Sequence, residues 1–129
     1  MNDDRIAREP ARIVEKDLGK RTKALALRVI KLYGELPKSA VAQVLGRQLL
    51  KSGTSVGAHY REANRAKSKP DFISKIEGAL QELDETAYWL ELLSASGTVN
   101  GGAVVSLVKE TEELISIFVT VAKSAKRGK

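Results

Sequence analysis

Apolar side chains recur at intervals of three and four residues along most of this chain, and the recurrence is interrupted at only a few places. Leu25, Val29, Leu32 and Leu36 form one run, closed by Gly34 and Pro37. Spacing of this kind places side chains on one face of a helix. Proline cannot supply the helical hydrogen bond and disfavours helix at the residue before it. The pattern therefore predicts helix A over roughly residues 18–34, with Asp17 as its N-cap. Residues 1–16 alternate charged and small side chains around Pro10 and show no apolar stripe. They read as an N-terminal extension, partly disordered and partly helical at most.

Three further helices follow from the same reasoning. Ser39 is placed to cap helix B, whose predicted face is Val41, Val44, Leu45, Leu49, Ser52, Val56 and Ala63, ending near Ala66. Its middle holds Ser52, Gly53, Thr54, Ser55, Gly57 and Ala58. Glycine costs about 1 kcal/mol against alanine inside a helix, so these small residues imply close approach of a neighbouring helix. Ser68 with Asp71 three positions on marks the start of helix C, and Pro70 suits a first turn. That helix runs from about Lys69 to Ala95, with Ile73, Ile76, Leu80, Leu83, Ala87 and Leu90 as its stripe and Trp89 and Leu93 on a flank. Gly97 closes it. Helix D spans about Gly102 to Lys126, with Val104, Val108, Thr111, Ile115, Phe118 and Ala122 inward, and Val105, Leu107, Leu114, Ile117 and Val121 widening the face. Residues 117–121 are β-prone, but the surrounding period is helical. The expected fold is all-α, an antiparallel up-and-down four-helix bundle over residues 17–126, with a basic tail at 127–129. The apolar surface of helices C and D is broader than one core needs, which suggests a homo-oligomer.

A chain of 129 residues suits one domain and can bury roughly two-thirds of its unfolded surface without a disulfide or metal. There is no cysteine, which excludes thiolate metal sites and cysteine nucleophiles and fits a cytoplasmic setting. The polar N-terminus carries no signal-peptide pattern, and no apolar run is long enough to span a membrane. The net charge of +6 is unevenly distributed: residues 32–75 hold eight basic and three acidic side chains, residues 76–100 five acidic and no basic ones. Such segregation can serve a polyanion partner, pairing between neighbouring helices or between subunits, or a solvated face.

Candidate chemistry is sparse. His59, Glu62, Glu82 and Glu85 suggest a carboxylate-bridged di-metal centre, but that centre takes a Glu-x-x-His pair from each of two helices and two further Glu. The chain has one histidine, in the order His-x-x-Glu. Glu62, Glu82 and Glu85 read instead as a structural ionic cluster, paired with Arg61, Arg65 or a neighbouring helix. Glu82 and Glu85 share a helix face, yet no nucleophile-and-base set or phosphate loop accompanies them. No catalytic residue, metal or cofactor is expected.

Arg61, Arg65, Lys67 and Lys69 are the candidate nucleic-acid-binding residues. They straddle the end of helix B and the start of helix C, where cations can meet phosphates. Only Tyr60 offers a ring beside them, and aromatics are 5% of the chain, which argues against a single-strand stacking platform and for shape and phosphate recognition. The alternative is that Arg61 and Arg65 pair with Glu62, Glu82 or Glu85. Tyr88, Trp89 and Leu93 are candidates for an oligomer anchor or for the core. The C-terminal KSAKRGK is a short basic tail that can add nonspecific affinity for polyanions.

Four stretches carry a family resemblance: DLGKRTKALALRVIKLYGELPKS (17–39), LGRQLLKSGTSVGAHYREANRAKSKPDFISK (45–75), ELDETAYWLELL (82–93) and, more weakly, TEELISIFV (111–119). The combination of SVGA-x-YREA, S-x-x-DFI-x-K and ET-x-YWLELL resembles the four-helix-bundle proteins associated with 23S ribosomal RNA intervening sequences, and is similar to the accessory proteins of diversity-generating retroelements. The resemblance covers about residues 17–126. It implies an up-and-down bundle, a ring-like homopentamer, no known catalytic residues and a connection to RNA or DNA. In some branches it also implies a reverse-transcriptase partner. His59 stands where relatives commonly carry Asn.

Overall fold

The structure, a computed structural model, describes the backbone of residues 2–128 and the side chains of residues 18–128. Among the described residues there are four helices and no strand: α1 (Asn2–Glu35), α2 (Ala40–Asn64), α3 (Lys69–Ala95) and α4 (Gly102–Arg127).

The boundaries follow from local chemistry. Ser39 Oγ accepts the Ala42 N–H at 3.2 Å and starts α2. Ser68 Oγ accepts the Asp71 N–H at 3.1 Å and starts α3, while the Asp71 carboxylate accepts the Lys67 N–H at 3.3 Å. Both caps satisfy a donor that the first helical turn leaves free. Past the end of α3, Gly97 takes φ +76°, and the Thr98 and Val99 N–H groups both reach back to the Leu93 carbonyl. Gly101, at φ +110°, precedes α4. Both angles favour glycine.

Helix α1 departs from expectation. Helical backbone begins at Asn2, so Asp17 lies within the helix and does not cap it. Residues 2–16 hold three Arg, two Ala and two Glu, which favour helix without forming a stripe, so apolar periodicity under-reads this segment. The side chains of the expected extension lie outside the described residues.

The core combines Leu18, Leu25, Val29 and Leu32 from α1, Leu49, Val56 and Tyr60 from α2, Ile76, Leu83, Leu90 and Leu93 from α3, and Leu107, Leu114 and Phe118 from α4. Tyr60 and Phe118 meet edge to face at 5.8 Å, a favoured aromatic geometry. The buried face of α2 is Ala42, Gly46, Leu49, Ser52, Gly53, Val56, Tyr60 and Ala63. Val41 and Val44, expected inside, are instead 54% and 55% exposed. The inward positions are taken by Ala42 and Gly46 because α1 passes very near. A Cβ on Gly46 would lie 2.5 Å from Leu36 Cδ1, and one on Gly57 3.3 Å from Thr22 Oγ1. On α3 the buried positions are Ile76, Ala79, Leu83, Thr86, Leu90 and Leu93, with Ile73, Leu80 and Ala87 only partly covered. On α4, Val108 and Ile115 are partly covered and Val105 is exposed, while Leu107 and Leu114 are buried.

Polar groups tie the helices together. Thr86 Oγ1 on α3 donates to Ser52 Oγ on α2 at 3.0 Å, both side chains being buried. Arg21 on α1 forks onto Glu110 of α4 through Nε at 3.0 Å and Nη2 at 2.8 Å, and reaches Glu113 at 2.6 Å. Arg28 Nη2 donates to Ser106 Oγ at 2.7 Å. None of the described helices is long and apolar enough to cross a membrane.

Candidate nucleic-acid interface

The basic corner is built by the end of α2 and the start of α3. Arg61 occupies the last turn of α2, and Arg65 is its C-cap, with its N–H on the Glu62 carbonyl at 3.1 Å. Lys67 lies in the connection, and Lys69 opens α3 after the Ser68 cap. All four basic side chains are exposed, and none makes an ion pair among the described residues. Arg61 and Arg65 are favourably placed at a helix C-terminus, where backbone carbonyls give negative partial charge. Lys67 and Lys69 stand at the opposite pole, beside a helix N-terminus, where a cation gains nothing from the helix. Two carboxylates lie at this corner: Asp71 binds the Lys67 N–H and Lys75 Nζ at 3.3 Å, and Glu62 faces His59.

The acidic residues of the predicted ionic cluster go elsewhere. Glu82 Oε2 faces His59 Nε2 at 3.8 Å, and Glu62 Oε1 faces His59 Nδ1 at 3.9 Å. These separations exceed hydrogen-bonding distance, and His59 Nδ1 is buried with no hydrogen-bond partner. The imidazole lies against α3, where a Cβ on Gly78 would stand 3.0 Å from Nδ1. Glu85 is exposed and makes no ion pair among the described residues. So the structure brings His59, Glu62 and Glu82 together and leaves Glu85 outside. No group of three or more His, Asp or Glu side chains among the described residues is arranged to hold a metal ion.

The three anchor candidates separate. Leu93 is fully buried, Tyr88 is 53% exposed, and Trp89 is half-buried against the core with its ring centroid 5.2 Å from that of Tyr88. Trp89 Nε1 is buried without a hydrogen-bond partner.

Two features escaped sequence reasoning. The first is the Arg21–Glu110–Glu113 cluster, which joins residues 89 and 92 positions apart. Hydrogen bonding to Glu110 holds the Arg21 guanidinium above its usual value, against the opposing effect of burial. The second is a cleft of about 290 Å³ between α1 and α2, lined by Gly19, Thr22, Lys23, Thr54, Gly57 and Arg61, among others. The run of small residues in α2 was its only signal.

Comparison with known proteins places these features in context. Residues 15–120 match the family described as 23S rRNA-intervening sequence protein. A solved structure of a protein of unknown function, assigned to the S23 ribosomal protein family of Bacteroides thetaiotaomicron, is similar at 34% identity. The similarity covers 84% of this chain and 97% of that one, with a TM-score of 0.79. No match is found among the curated proteins. With most of its length matched, from α1 through α4, the chain belongs to the 23S rRNA-intervening sequence protein family.

Proposed function

We propose that this protein is a non-enzymatic, oligomeric four-helix bundle of the cytoplasm that binds structured RNA or duplex nucleic acid through phosphate contacts. The observation that carries the reading is the basic corner. Arg61, Arg65, Lys67 and Lys69 are exposed and make no ion pair among the described residues, and all four fall within a nine-residue span, 61–69. Tyr60 is buried in the core and Phe72, in the first turn of α3, packs partly buried against it, and this favours phosphate recognition over base stacking.

The bundle is proposed to be antiparallel and up-and-down. In support, the pairs Thr22 with Gly57, Val29 with Gly53 and Tyr33 with Gly46 fall along α2 as they rise along α1. His59 with Glu82 and Ser52 with Thr86 do the same between α2 and α3. Assembly into a ring-like homopentamer, which the family resemblance implies, repeats the corner around an axis. Several weak phosphate contacts then act together.

A second reading has its own observation. Ala40, Val41, Val44 and Leu45 form an open apolar surface near the start of α2. That surface favours a scaffold that holds a protein partner, such as a reverse transcriptase.

The test is binding of a labelled RNA hairpin and a duplex of about 20 base pairs across a salt series. Wild type is compared with an Arg61/Arg65/Lys67/Lys69→Ala variant whose helicity and assembly are unchanged. Phosphate contacts release counterions, so wild-type affinity falls steeply with salt. The variant has a shallower slope on duplex, by about 0.9 for each phosphate it no longer neutralises. Absence of wild-type binding at low salt sinks the nucleic-acid reading and leaves the scaffold.

A further inference from the structure

Beyond the corner, the edge of α2 that faces the α1 cleft is basic along its length. Arg47, Lys51, Thr54, Ala58, Arg61 and Arg65 follow one another at intervals of three and four residues, and such positions lie on one helical edge. Thr54, Ala58 and Arg61 line the cleft between α1 and α2, which fixes the edge's direction. Lys23 enters the same cleft from α1. Arg47, Lys51, Arg61, Arg65 and Lys23 are exposed, and none makes an ion pair among the described residues. Glu62 is the carboxylate nearest this edge of α2, four residues beyond Ala58, and it faces His59 on the side away from the cleft. At 1.5 Å per residue, the edge from Arg47 to Arg65 runs about 27 Å.

We propose that a nucleic-acid double helix lies along the α1–α2 groove, its phosphates on a track formed by Arg47, Lys51, Lys23, Arg61 and Arg65. The inference rests on the nucleic-acid reading and extends it from a corner to a line. A phosphodiester backbone is the ligand whose negative charges repeat along a length of this order, one per about 1.7 Å of duplex axis. The small side chains of Gly19, Gly57 and Ala58 keep the middle of the track open, so the backbone approaches between Lys23 and Arg61 without displacing a side chain. No aromatic ring occupies the track, so nothing on it stacks an unpaired base.

The experiment measures salt dependence for an RNA duplex of about 20 base pairs and for an unpaired uridine strand of the same length. It uses wild type, the corner variant Arg61/Arg65/Lys67/Lys69→Ala, Arg47→Ala/Lys51→Ala, Ala58→Lys, and a control in which exposed Lys109 and Lys123 of α4 become Ala. Residues 47 and 51 lie about 21 Å along the helix from Arg61 and Arg65, so they report the track and not the corner. The expected result is a duplex slope shallower by about two in Arg47→Ala/Lys51→Ala. From about 50 to about 200 mM salt, its affinity ratio to wild type then shifts about tenfold. Ala58→Lys, at an exposed mid-track position, steepens the slope by about one, and the α4 control matches wild type. If the corner variant has a shallower slope than wild type, yet Arg47→Ala/Lys51→Ala keeps the wild-type slope, the track is wrong and the corner stands. Tighter binding of the uridine strand than of duplex also overturns the track. Failure of wild type to bind either probe overturns the underlying reading itself.

Discussion

Gly53 of α2 touches Val29 of α1 so closely that a Cβ on Gly53 would lie 2.8 Å from Val29 Cγ2 and 3.2 Å from its Cβ. Val29 is fully buried and β-branched, so it cannot swing aside. Gly53→Ala gains about 1 kcal/mol of helix propensity but meets an overpacking cost of about 1–3 kcal/mol. The expected net is a loss of about 1 kcal/mol, read as a lower urea midpoint. Gly34→Ala has no neighbouring atom to meet and should stabilise by about 0.5 kcal/mol. If Gly53→Ala stabilises as much as Gly34→Ala, the close seam is wrong.

The buried Thr86–Ser52 bond joins α3 to α2 through two hydroxyls. Thr86→Val keeps the shape and removes a hydroxyl whose single proton is shared between Ser52 Oγ at 3.0 Å and the Glu82 carbonyl at 2.8 Å. Ser52 retains its donation to the Leu49 carbonyl at 3.2 Å, so no hydroxyl is stranded. A loss of about 1 kcal/mol is expected, the net value of one such bond. A loss several times larger would mean that the pair carries a wider network.

The bond illustrates where legibility ended. Helix α3 was readable to its end residues because Ser68, Pro70, Asp71 and Gly97 punctuate it locally. The inward face of α2 was not, because large apolar side chains were the guide, and at Ala42 and Gly46 the core selects for absence of bulk. The start of α1 was missed because Ala, Arg and Glu make helix without making a stripe. Of the candidate site, Arg61, Arg65, Lys67 and Lys69 were legible as residues. Whether carboxylates neutralise them depends on where Glu82 and Glu62 point, and these turn to His59. Nothing in the sequence places Arg21 opposite Glu110.

The Arg21 fork onto Glu110 is the strongest polar link found between α1 and α4. Arg21→Lys keeps the charge but cannot make two parallel bonds, and Arg21→Ala removes both. With both side chains 22% exposed, a loss of about 1 kcal/mol is expected for Arg21→Ala and most of that for Arg21→Lys. The folded-state value of Arg21 is raised. Its contribution is therefore full below the ordinary arginine value and is lost only as pH rises through the folded one. Across about pH 6–9 the wild-type and Arg21→Ala stabilities should run parallel as far as Arg21's own titration is concerned. Equal stability of Arg21→Lys and wild type would show that charge alone suffices.

Val41 and Val44 test assembly. Both were expected in the core, and both are more than half exposed, continuous with Ala40 and Leu45. Isolated exposed valines are ordinary, but neighbouring ones on one helical turn make a surface that water covers poorly. If a second copy covers it in the proposed ring, Val41→Lys/Val44→Lys places two ammonium groups in an apolar contact. Burying an unpaired charge there costs more than a small interface returns. Because neither side chain fills the core, the fold itself should survive. Sedimentation velocity should then show the variant shifted to smaller species with unchanged far-ultraviolet circular dichroism. An unchanged sedimentation profile would remove this surface from the interface and leave it to a protein partner. Loss of helicity would mean that the two valines support the helix packing that their exposure denies.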